Sequence, residues 1–206
     1  MNIFVLLSPT WVLAYYLKRK YDRTKTIKTL NWIYLVISII GIAIIVVAQL
    51  VDRRFIVNGL YKSIPIAATV TWFYFLMSRN NEIFWSFLKD ACDKMDSCSE
   101  QTNFHKQYKS KLVPKDRIIL SLKSYLELVF NFSIVYALTD NTLWKSESPL
   151  SIADFIYYSG ITITTTGYGD ITPIHYLTQL LAVYEIFCGV ILLIVCFAIY
   201  AGRLNN

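Results

Sequence analysis

The chain has 206 residues, of which 55% are hydrophobic and only 17% charged, with a mean hydropathy of +0.45. That balance excludes an ordinary soluble domain, whose core could not hide so much apolar surface. A net charge of +6 would suggest nucleic acid in a soluble protein, but here the basic residues cluster between apolar runs and read as a topology signal, so no nucleic-acid partner is expected.

Five apolar segments succeed one another along the chain, each close to the length a helix needs to cross about 30 Å of hydrocarbon. Residues 3–17 form the first and shortest; Pro9 interrupts it, and it reads as a span or as a re-entrant or interfacial helix. Residues 30–51 carry no charge at all and are the clearest span. Residues 56–77 come after only Asp52 to Phe55, so the two must form an antiparallel hairpin. Together they give an N-terminal membrane region, 1–77. Residues 78–117 read as a cytoplasmic linker, in which Phe84, Phe87, Leu88, Cys92 and Met95 recur at helical spacing and predict an amphipathic helix lying on lipid headgroups. The C-terminal region, 118–206, holds an apolar helix over 118–138, a half-length helix over 151–163 and a long apolar helix over 176–201.

Basic residues are retained on the cytoplasmic side of a membrane. The stretches 18–28 and 78–117, with Arg203, hold fifteen of them, against three (Arg53, Arg54 and Lys145) on the other side. A multi-pass protein of the cell membrane is expected, its N-terminus extracellular and its C-terminus cytoplasmic. The lipid bilayer is its surroundings, and anionic lipids are a candidate partner.

Cysteine placement implies no disulfide framework, and Cys92, Cys98 and His105 lack the spacing and fourth ligand of a zinc site. No nucleophile and base arrangement or phosphate-cradling loop supports an enzyme. No apolar segment carries Arg at every third position, so an Arg-rich voltage sensor is not expected. Lys123 and Glu127, four apart on one helix, are expected to pair. His175 reads as a solvated histidine. Glu185 lies within the last apolar helix, where an acid is either paired or functional. A hydrogen bond to the half-length or the preceding helix is its expected role, with proton sensing the alternative.

Between the last two spans stand Thr162, Ile163, Thr164, Thr165, Thr166, Gly167, Tyr168, Gly169 and Asp170. With a short helix before them and a spanning helix on either side, these residues resemble the pore of the potassium-channel family and its Thr-X-Gly-Tyr-Gly-Asp signature. A dehydrated potassium ion needs oxygens in place of its hydration shell, and stacked rings of backbone carbonyls supply them. Gly167 and Gly169 fit such a filter because aligned carbonyls need positive φ, which glycine adopts without a Cβ penalty.

The resemblance implies an all-α integral membrane fold, a tetrameric pore module preceded by two or three additional transmembrane helices. It implies ion binding by Thr165, Thr166, Gly167, Tyr168 and Gly169, K+ as the permeant ion with no cofactor, and filter support from Tyr157, Tyr158 and Asp170. One chain supplies one wall, so a homotetramer is expected. Two departures stand out: Thr166 occupies a position where Val or Ile is commoner, and Ile161 stands where many relatives place a carboxylate. Gly189 sits where relatives carry a hinge glycine, and Leu193 and Phe197 lie inward of it as candidate gate residues; helix packing is the other reading of Gly189. Only five residues come after Ala201, so no appended ligand domain is expected. The expected activity is passive, potassium-selective conduction, with a weakly selective cation channel or a non-conducting accessory subunit as alternatives.

Overall fold

Ser8 opens the first helix: its hydroxyl accepts the backbone N–H of Trp11, and Pro9 takes the first helical position, where a missing N–H costs nothing. In the computed structural model, residues 8–52, 54–57, 60, 64–96 and 114–195 are described. Helix α1 covers Pro9–Lys20, 12 residues or about 18 Å. It is shorter than a bilayer core and shifted toward the basic end of the expected 3–17 segment. Residues 3–7 lie outside the described residues.

Helix α2, Arg23–Val51, begins about two turns earlier than hydropathy suggests, because the Asp22 carboxylate caps the Lys25 N–H at 2.9 Å. The basic stretch 18–28 is therefore two helix ends around the elbow Tyr21–Asp22 rather than a loop.

The expected span 56–77 is corrected by the structure. A short helix, α3 at Arg54–Val57, is succeeded after Pro65 by the long helix α4, Ile66–Asp96. Pro65 lacks the N–H that a helix interior needs, but its carbonyl accepts Ala68 N–H and Thr69 N–H and so starts α4. The expected linker 78–117 is corrected as well. Ser78, Arg79, Asn80, Glu82 and Ile83 are buried inside the bundle, and Phe84 and Phe87 pack against its core. Up to Phe87 this helix therefore lies against protein rather than on headgroups, while the side chains of Cys92 and Met95 lie outside the described residues.

Helix α5, Pro114–Ala137, is the axis of the molecule and packs against α2, α4 and the two helices after it. Residues 131–139 are all buried. It runs parallel to α2, with side-chain ties ascending both helices together: Lys28 to Asp116 at 2.8 Å, Asn31 to Ser124 at 2.8 Å and Ser38 to Asn131 at 2.6 Å. Small polar groups commonly join membrane helices in this way.

The chain then forms a loop with a two-stranded antiparallel ladder. Strand β1 (Trp144–Lys145) pairs with β2 (Thr172–Pro173), and between them lies helix α6, Ile152–Ile163. Helix α7, Tyr176–Val190, continues into a π-helical segment, Ile191–Val195. The remainder of the expected 176–201 helix lies outside the described residues. Among the described residues three helices are long and apolar enough to cross a membrane: Arg23–Val51, Lys115–Ala137 and Tyr176–Leu193. The polar run Arg79–Asn80–Asn81–Glu82 keeps α4 out of that set despite its 31 residues.

Candidate functional site

The loop 164–170 hangs from the C-terminal end of α6, so the anchoring of that helix comes first. At its N-terminus Ser151 and Asp154 form a reciprocal capping box, and the Ile152 N–H is taken by the Gln49 side chain of α2 at 3.0 Å. At its C-terminus the Ile161 carbonyl accepts both Thr166 N–H (2.8 Å) and Gly167 N–H (3.2 Å). The helix end thereby folds the next stretch of chain back on itself.

Positive φ then recurs at alternate positions: Thr165 at 59°, Gly167 at 52° and Gly169 at 80°. A β-branched residue in this region is an outlier and costs roughly 1–2 kcal/mol. Such strain persists only where surrounding structure imposes it, and it concentrates at functional sites. Positive φ at every second residue lets successive N–H groups turn to one side, as the Thr166 and Gly167 N–H groups do toward the Ile161 carbonyl. A Cβ on Gly167 or Gly169 would meet nothing within 4 Å, so these glycines answer a conformational need and not a shortage of space. Residues 164–170 are all exposed in the single chain.

Of the expected supports, Tyr157 stacks on Tyr168 with ring centroids 6.5 Å apart and planes within 5°, beside the Asp170 carboxylate. Tyr158 does not join them. It is turned to the back of α6, edge-on to Tyr136 (5.3 Å) and Trp144 (5.0 Å), because successive residues of a helix point in different directions. Trp144 also packs against Phe155 and donates its indole N–H to Thr139. This aromatic cluster, anchored by the β1–β2 ladder, supports α6 from behind. Hydropathy marks Trp144 only as a loop residue, and nothing in local spacing points to its role.

Glu185 is fully buried and accepts hydrogen bonds from Tyr136 of α5 (2.6 Å) and from Ser159 of α6, the paired arrangement expected of it. One turn further along the same seam, Gly189 packs on Ile163. Leu193 is half-buried in the π-helical segment, and Phe197 lies outside the described residues. His175 caps α7, its Nδ1 accepting the Leu177 N–H.

The expected Lys123–Glu127 pair is corrected. Glu127 is held by Arg79 of α4, Nε to Oε1 at 2.6 Å and Nη2 to Oε2 at 3.0 Å, while Lys123 lies over the Trp32 ring. Arg79 also meets Glu82 at 2.9 Å and stands 4.1 Å from the Tyr34 ring centroid. Sequence separation hides this cluster, although an Arg after an apolar run is a visible signal that a partner must exist.

No curated protein and no solved structure matches the chain. A family model described as "Ion channel" matches residues 124–206, which include most of α5, all of α6, the strained loop and α7. The match coincides with helix α6 and the strained loop, flanked by two membrane-length helices, so residues 124–206 are similar to the pore of an ion-channel family within an all-α fold.

Proposed function

We propose that the chain forms a potassium-selective channel in which four copies surround an axis and K+ passes through the carbonyls of Thr165, Thr166, Gly167, Tyr168 and Gly169. The observation that carries this reading is the positive φ at 165, 167 and 169, with threonine at the first of them. Alternation of this kind suits rows of carbonyls that replace a hydration shell. Tyr157 and Asp170 brace the loop from its outer side, and the negative dipole end of α6 favours a cation below it.

Assembly is supported by what a single chain leaves uncovered. The whole loop is exposed, as are Tyr176, Leu180, Val183 and Phe187 along one face of α7. One loop offers one wall, and four walls complete a cage. Conduction is passive, with no enzymatic step and no cofactor. The chain lies in the cell membrane with its basic ends inside. There the α1–α2 elbow presents Arg19, Lys20 and Lys25 to anionic lipid headgroups beside a cleft floored by Leu17, Leu30 and Ile33.

The test is flux from liposomes containing the purified protein alone. Potassium passing well ahead of sodium, with block by barium, is expected. Equal permeability would leave a weakly selective cation channel, and no flux an accessory subunit. Orientation is tested by cysteine labelling: Asn141→Cys should react from outside and Lys106→Cys only from inside.

A further inference from the structure

The polar run at the middle of α4 grips both long helices of the pore. Arg79 and Asn80 bind α5, through Glu127 and through Asn131 at 2.9 Å. Asn131 is also taken by Ser38 of α2. These ties fix α4 against α5 as a wall. The next residue, Asn81, faces the inner helix α7 and accepts the Tyr184 hydroxyl at 2.6 Å. The Tyr184 ring sits against Phe84 of the same wall (6.5 Å) and edge-on to Phe132 of α5 (5.8 Å, 63°). Tyr184 is thus seated in a socket made by two helices other than its own.

The geometry of α7 beyond that socket makes the contact mechanically significant. Two turns past Tyr184 the α-helical pattern gives way to the π-helical Ile191–Val195, which itself packs on α4. A π turn leaves the regular hydrogen-bond ladder, and bends and functional adjustments of helices concentrate at such places. Above it the helix is held on its other side by Glu185, bonded to Ser159 and Tyr136, and by the close packing of Gly189 on Ile163. A tilt of α7 as a whole about the Glu185 and Gly189 contacts, as distinct from a bend confined to the π turn, therefore loads the Tyr184 contact on the opposite side.

Resting on the channel reading above, we propose that Tyr184 is a latch: its hydroxyl bond to Asn81, within the Phe84–Phe132 socket, sets the equilibrium between the closed and open positions of the inner helix. Tyr184 and Asn81 are positioning residues, because neither touches the path of the ion. A neutral hydrogen bond is worth about a 5-fold change in an equilibrium, and four copies moving together enlarge it.

The test uses the full chain in planar bilayers, comparing native protein with Asn81→Ala, Tyr184→Phe and the double variant. Both single changes should shift the open-to-closed ratio in the same direction by at least about 5-fold. The double variant should go no further than the larger single, and potassium over sodium selectivity should stay unchanged. Unshifted ratios, or strictly additive ones, with an intact tetramer would overturn the latch while leaving the selective pore standing. Backbone hydrogen exchange over 184–195 gives a readout independent of current. It should quicken in Tyr184→Phe and in Phe84→Leu, and unchanged exchange in both overturns the latch even if the native protein passes no current.

Discussion

Gly189 and Ile163 meet at a distance that leaves no room for a side chain: a Cβ at position 189 would lie 2.5 Å from Ile163 Cγ1 and 3.1 Å from its carbonyl oxygen. Ile163 is two residues before Thr165, so the inner helix rests directly on the support of the strained loop. Glycine is required here by space, which favours the packing reading of this position over that of a simple hinge.

The first prediction weighs two opposing energies. Replacing a helical Gly by Ala gains roughly 1 kcal/mol of helix propensity, while overpacking costs typically about 1–3 kcal/mol. Here the obstructing atoms belong to a stiff β-branched side chain and a backbone carbonyl, so the clash wins. Gly189→Ala should lower the thermal stability of the assembled protein in detergent, and adding Ile163→Ala should recover part of the loss. A stable Gly189→Ala with altered opening and no response to Ile163→Ala would return the position to a hinge.

Thr165 and Gly167 share one backbone requirement and should respond oppositely to substitution. Gly167→Ala places a Cβ where nothing stands in its way, so its penalty is conformational, roughly 1–2 kcal/mol per copy, and selective conduction should be lost. Thr165→Gly relieves a comparable strain while deleting a hydroxyl, so the assembly should be at least as stable as native and its ion preference altered. Measured side by side as thermal stability and potassium-to-sodium flux, equal destabilisation by both would argue against the alternating backbone.

How much of the fold and the site is legible in the sequence depends on whether a residue's partner is near it. The loop motif can be read because Gly167 and Gly169 declare their backbone needs locally, and α2 can be read because its middle is uniformly apolar. The strain at Thr165 cannot, since threonine gives no sign of positive φ. The extent of α4 is hidden for an electrostatic reason. Arg79 and Glu82 look like residues at a membrane surface until Glu127, 48 positions beyond Arg79, supplies the counter-charge. Lys123 offers Glu127 a nearer partner at helical spacing, and only the packing of α4 on α5 decides between them.

That cluster gives the third prediction. Removing one member of a buried ion pair costs about 3–5 kcal/mol, whereas replacing the set by apolar groups of similar size can be neutral. Glu127→Leu and Arg79→Met should each sharply lower thermal stability, the latter leaving Glu82 and Glu127 without their shared cation. The combination Arg79→Met, Glu82→Gln and Glu127→Leu should recover most of it. Lys123→Met should change little. A large loss from Lys123→Met with little from Arg79→Met would restore the local pair.

The final prediction concerns the knot behind the loop, where Glu185 accepts from Tyr136 and Ser159, all three fully buried. The two donors are not equivalent. Ser159 has a second acceptor in the Val129 carbonyl at 3.0 Å, whereas Glu185 is the acceptor that the structure gives to the Tyr136 hydroxyl. Glu185→Gln keeps one carbonyl oxygen for Tyr136, and its amide can donate to Ser159 while that hydroxyl turns to Val129; this variant should be mild. Glu185→Leu strands the Tyr136 hydroxyl in an apolar interior, an unsatisfied group costing about 1–3 kcal/mol. Adding Tyr136→Phe removes the stranded group, so the double variant should be more stable than Glu185→Leu alone, an inversion that simple loss of packing cannot produce. Thermal unfolding of the four proteins in detergent decides the matter. A double variant less stable than Glu185→Leu would mean that the Tyr136 hydroxyl is satisfied elsewhere and that Glu185 is not what holds α5, α6 and α7 together.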